Sequence, residues 1–207
     1  MQDNLLTVQD NSDTTKQMQL QLSGITTGTT RTLTIPDANG TVALLTDTGI
    51  TLATEQASTS GTSIDFTGIP AGTKRITIMF VGVSTNGGSN LLIQLGDSGG
   101  IETSGYLGTG LRLTDSTAIV AVNSTVGFIL PIGAATTTIH GTVVLTLENS
   151  SNFTWVANGS CGYSDTGGSV QTMGQKATSA ELTQVRITTV NGTDAFDAGA
   201  INISYER

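Results

Sequence analysis

The sequence predicts an all-β protein: a small N-terminal β attachment module followed by a jelly-roll-like β-sandwich. Three observations carry this. Apolar and polar residues alternate with a period of two along most of the chain, as in strands with one dry face. Charged residues are only 12% of the chain, about half the usual quarter, and Thr, Ser, Gly and Asn take their place. The 26 glycines and 3 prolines supply turns that use positive φ. No stretch carries a convincing amphipathic helix, and residues 1–10 and 174–185 hold only weak helix-like patterns.

Residues 1–15 read as a polar, extended arm. Residues 16–46, KQMQLQLSGITTGTTRTLTIPDANGTVALLT, alternate Met18, Leu20 and Leu22, then Leu33 and Ile35, then Val42 and Leu44. Gly24, Gly28 and the turn Pro36-Asp37-Ala38-Asn39-Gly40 punctuate them. The module, residues 1–50, holds too few large side chains to close a core alone. A β unit of about 40–50 residues needs a staple, a metal or a partner. No cysteine or histidine precedes residue 140, so sister chains or another protein must cover it. Residues 48–63 connect it to the second region, 51–207.

That region predicts strands at 63–66, 74–83, 90–95, 118–122, 125–131, 138–148, 153–163, 184–190 and 200–206. Turn signals such as Asn86-Gly87-Gly88, Asp97-Ser98-Gly99-Gly100 and Asn191-Gly192 separate them, the spacing of a sandwich. Two stretches are apolar on both faces. In 74–83, Ile76, Ile78 and Phe80 oppose Met79, Val81 and Val83, and 118–130 behaves alike. A second dry face implies a further layer or a neighbouring subunit. The last strand puts Ile201, Ile203 and Tyr205 on one side, as in a core strand or a strand on a subunit axis.

The net charge is −8, and Lys74-Arg75 is the only basic pair. Nucleic acid needs a basic patch, so it is not an expected partner. No segment approaches the ~18–20 apolar residues of a membrane helix, and the N-terminus lacks the regions of a signal peptide, so membrane insertion is not expected and synthesis in a cytoplasm is. Cys161, the one cysteine, reads as a small buried apolar residue.

Candidate sites are few. His140 has no ligand cluster for zinc and no nucleophile elbow, so it reads as a surface or interface residue. Asp194 with Asp197, and Asp97 with Glu102, are the carboxylate pairs to test for sugar cleavage, but aromatics for stacking are only 4% of the chain. The oxygens of 191–197 and of 10–13 fit turn capping better than a calcium loop. No catalytic residue, metal or cofactor is expected. Trp155 and Phe153 share a face and fit a core more than a ligand platform. Tyr106 and Tyr163, beside glycines, are the rings expected at the surface. With Trp155 they are the candidates for receptor binding. Arg31, Leu33, Ile35, Ile201 and Ile203 are the candidates for attachment or subunit contact.

The run SGITTGTTRTLTIPDANGTVALL, preceded by Asp10-Asn11-Ser12-Asp13-Thr14-Thr15-Lys16, resembles the Thr/Gly-rich attachment module of tailed-bacteriophage virion proteins: tail fibres, tail-tip proteins and head fibres. TSIDFTGIPAGTKRITIMFVGVSTNG and VRITTVNGTDAFDAGAINISYE resemble the distal β domain of phage tail-fibre-like proteins. The likeness spans residues 10–85 and 120–207 and brings no catalytic residues. It implies a virion protein, a homotrimer docked on another virion protein through its N-terminal module. The function it implies is that of a tail fibre or tail-tip spike that binds a bacterial surface glycan or protein. A head fibre or capsid decoration is the alternative, and a capsule-degrading enzyme is the least favoured.

Overall fold

The computed structural model describes residues 7–19, 21–34, 37, 49–114, 119–165 and 167–207. The chain divides into two units, 1–42 and 43–207, so the division falls somewhat before the expected boundary near 50.

In the first unit, β1 (Thr7–Gln9) and β2 (Gln17–Gln19) form an antiparallel hairpin with Val8 opposite Met18. Asp10 Oδ1 accepts from the Ser12 and Asp13 N–H groups, both at 2.8 Å, and Asp13 Oδ1 accepts from the Thr15 N–H at 3.1 Å. These carboxylates build the turn. No described side chain of this unit is buried. Val8, Met18, Leu22 and Leu33 are 52%, 54%, 53% and 79% exposed. Residues 21–34 contain turns but no strand, which corrects the strands expected there. An isolated two-stranded hairpin is marginal in water. Leu20, Ile35, Val42 and Leu44 lie outside the described residues.

The second unit is an antiparallel sandwich. Its strands are β3 (Thr51–Leu52), β4 (Gln56–Ala57), β5 (Ser63–Thr67), β6 (Arg75–Thr85), β7 (Leu91–Asp97), β8 (Gly100–Ile101), β9 (Leu107–Thr114), β10 (Ile119–Ser124), β11 (Phe128–Leu130), β12 (Ile139–Asn149), β13 (Thr154–Tyr163), β14 (Gly168–Ala177), β15 (Gln184–Thr189) and β16 (Phe196–Glu206). The longer sheet runs β10-β9-β14-β13-β12-β6-β16-β3, with β4 also on β16. The shorter runs β11-β7-β15-β5, with β8 on β7.

With β3 and β4 taken as one interrupted strand, that strand, β5, β6, β7, β11, β12, β15 and β16 are numbered one to eight in chain order. The longer sheet then reads 1-8-3-6 and the shorter 2-7-4-5, the interleaving of a jelly roll. Two insertions, β9–β10 and β13–β14, carry the longer sheet past this frame, and β8 adds to β7 in the shorter sheet. Sequence reading missed β9 and β14. In LGTGLRLT the buried positions are Gly108 and Gly110 while Leu107 and Leu113 are exposed, GSVQTMGQKA holds few large apolar residues, and the helix-like pattern at 174–185 is overturned at its start by β14.

Between the sheets Ile76, Ile78, Phe80, Val143 and Leu145 meet Ile64, Phe66, Ile93, Leu95, Val185 and Ile187. The double-faced reading of 74–83 needs correction. Val81 is 58% exposed and Val83 is 1% exposed, because a bulge intervenes. Gly82 at φ 65° faces Gly199 at φ 88°, the register slips there, and Val83 turns to the core side. The second double face, 118–130, is two strands, β10 in the longer sheet and β11 in the shorter. Gly110 of β9 lets the β11 segment pass close over the longer sheet, since a Cβ there would meet Ile129 O and Pro131 Cδ at 2.6 Å.

Candidate functional site

Strand alternation sends Leu92 and Gln94 of β7, Arg186 and Thr188 of β15 and Ser63 of β5 to the outer face of the shorter sheet. There they line an open groove of about 480 Å³, closed at its sides by Thr103, Val126 and the 190–192 turn. Arg186 is its one charged lining residue. Its Nε and Nη2 donate to Asp65 Oδ1 and Oδ2, both at 2.7 Å, and this pairing holds the guanidinium above its usual range. A bidentate pair fixes the plane of the cation. Gln94 Nε2 donates to Val126 O at 2.8 Å, and the Thr188 hydroxyl to Thr62 O at 2.8 Å. The groove thus offers hydroxyls, an amide and one anchored cation. That set can hydrogen-bond a polar ligand, and it has no paired nucleophile and base.

The carboxylate pairs have structural work. Asp97, 3% exposed, accepts from the Ser179 hydroxyl at 2.5 Å and from Gly99 N–H at 2.7 Å, which hold its carboxyl below the usual value. Glu102 accepts from Ser179 N–H at 2.6 Å and is ion-paired with Lys176. Burial pushes the Glu102 carboxyl up, and Lys176 and Ser179 together outweigh that and leave it lowered. Lys176, 6% exposed, also donates to Ala177 O at 2.6 Å and lies 5.5 Å from the centre of the Tyr106 ring. A general acid needs the opposite shift. Asp194 accepts from Asn191 Nδ2 at 2.6 Å and from Ser89 N–H at 2.9 Å, and its carboxyl is lowered by them. Asp197 accepts from the Ser84 hydroxyl. Among the described residues no three His, Cys, Asp or Glu side chains gather into a metal site.

The ring candidates move. Tyr106 is fully buried, which corrects its surface placement. Its hydroxyl accepts from Leu95 N–H at 2.7 Å and donates to Glu102 O at 2.9 Å, and its ring meets Phe128 edge-on at 5.2 Å. The glycines beside it serve close packing: a Cβ at Gly108 would sit 3.0 Å from Gly127 O. Tyr163 is half-buried, donates to Pro131 O at 2.9 Å, and is pushed up to about 12 by burial. Trp155 is 2% exposed, and Cys161 is equally buried, its thiol pushed up to about 12.

His140 is exposed, its Nδ1 accepting from Gly82 N–H at 3.0 Å. Arg31 and Leu33 are exposed in the first unit, and Ile35 lies outside the described residues. Ile201 and Ile203, 0% and 1% exposed, belong to the core of their own sandwich, so a subunit-contact role for them is corrected. Of the groove residues, sequence reading singled out only Asn191 and Gly192, and those as a turn. Their signal, a polar set on alternate positions of strands with apolar partners, is that of any wet sheet face.

No protein-family model matches the chain, and neither a curated protein nor a solved structure does.

Proposed function

We propose that this is a structural protein of a tailed-phage virion, a tail fibre or tail-tip spike whose sandwich binds a glycan or protein on the bacterial surface. The observation that supports it best is the first unit. Its described side chains are all unburied, and four large apolar ones are more than half exposed. A unit so built needs a partner to stay dry, as an attachment module does. The resemblance of its sequence to such modules points the same way. Three copies about one axis, docked on another virion protein, would bury that apolar stripe.

Function on this reading is binding without chemistry. Three equal grooves turn individually weak contacts into avidity, and the groove's hydroxyls, amide and single cation suit hydrogen bonding to a glycan. The test is competition: purified full-length chain added to host cells should reduce adsorption of the phage. Unchanged adsorption, with immunogold labelling on the head, would replace this reading by a head fibre or capsid decoration. Reducing sugar released from host capsule would replace it by an enzyme. Mass photometry of the full chain should give three times the mass of one chain, and a well-folded monomer would remove the trimer.

A further inference from the structure

The longer sheet turns one face to the core and the other outward. Strand register sets the outward residues in rows that cross the sheet. The row through Val144 and Met173, and the next one through Met79 and Leu111, hold no charged residue from β16 to β10. At one end of the face Arg75 and Glu206 neutralise each other as an ion pair. The shorter sheet differs, since Arg186 and Asp65 stand on its outer face.

Apolar side chains gather where the charges are missing. Among the described residues of the second unit nine large apolar side chains are exposed. Six of them are on this face: Leu52, Val81, Leu107, Leu113, Ile119 and Val156. A solvated surface carries about 25–35% charged residues, so two full rows without one are not an ordinary wet face. The edge strand β10 extends the pattern. Its sequence, IVAVNS, holds no charge and no proline, and its six-residue register with β9 has no bulge. Those are the devices that keep a free sheet edge from pairing with another chain.

We infer that this face packs against the like face of a second copy of the chain. Charge and size select that occupant. The chain carries −8, so copies repel wherever their carboxylates approach. An uncharged face is where two such copies meet without that cost. Seven strands about 4.8 Å apart, with four outward positions about 6.8 Å apart, make a plane of roughly 600 Å². Side-chain relief raises its accessible area toward the ~800 Å² per partner that a stable interface buries. The inference deepens the reading of a many-chain spike and rests on its self-association, but not on the number of copies.

Met79 and Met173 lie on the face and are half-buried in a single chain, so their oxidation reports what covers it. The full-length protein is sized by mass photometry and treated with hydrogen peroxide, and each methionine is followed by peptide mass spectrometry. Val156→Glu with Ile119→Glu puts two carboxylates on the face at exposed positions, and Met79 on β6 is next to neither. In the self-associated wild type both methionines oxidise slowly. In the double variant both oxidise about fivefold faster or more, with unchanged far-ultraviolet circular dichroism. Should the double variant fail to fold, Ile119→Glu alone, at a position 69% exposed, gives the same readout. Equal rates in a self-associated wild type and the folded variant overturn this inference and leave the spike held by its first unit. A monomeric wild type overturns both. A dimer with slow methionines bears this inference out and replaces the trimer by a two-fold pair.

Discussion

Ser179 ties two carboxylates together: its hydroxyl is on Asp97 and its N–H on Glu102. The Asp97 carboxyl sits below its ordinary 3.8 in the folded chain. A lowered folded value gives stability that is present above the unfolded value and lost as pH falls through the folded one. Ser179→Ala removes the largest cause of that lowering. The variant is therefore less stable than wild type at pH 7, and the gap closes as pH falls from about 5 to about 2. Urea unfolding across that range checks it, and a gap that widens in acid contradicts it. At this scale the sequence was a poor guide. Asp97 and Glu102 were legible as a pair, but Lys176, more than seventy residues further along the chain, was not. Tyr106 looked exposed because neighbouring glycines signal turns as readily as tight packing.

The element that most departs from simple alternation is β6. Its bulge rests on two glycines of different tolerance. A Cβ on Gly199 would lie 2.3 Å from Gly82 O, whereas one on Gly82 would lie 3.5 Å from the nearest atom, His140 Cε1. Gly82→Ala thus costs the left-handed penalty of about 1–2 kcal/mol. Gly199→Ala adds backbone displacement between β16 and β6 and costs more than that. Chemical denaturation of the two variants should rank them so, with equal m values. Strands such as 63–66, 138–148 and 184–190 were legible because their period of two met Val, Ile and Leu. β9 and β14 were not, since Gly and Thr face the crossing β11 where larger residues would collide.

The whole molecule is one filled sandwich and one unit that buries nothing among its described side chains. Stability is accordingly concentrated in the second unit. A chain beginning at residue 51 should unfold cooperatively with a thermal midpoint within about 4 °C of full length, given that about 1 kcal/mol shifts a domain of this size by about 2–4 °C. A peptide of residues 1–50 should show no cooperative transition in dilute solution. A drop of tens of degrees on truncation would mean that the first unit holds the sandwich together.

From the sequence alone came the all-β class and most strands of the sandwich, because periodicity and turn chemistry are local quantities. Which strands pair, which ring is buried and which polar side chains gather into a groove came only with the tertiary structure. Those depend on contacts between residues far apart in the chain, such as Asp65 with Arg186, and no local pattern encodes them.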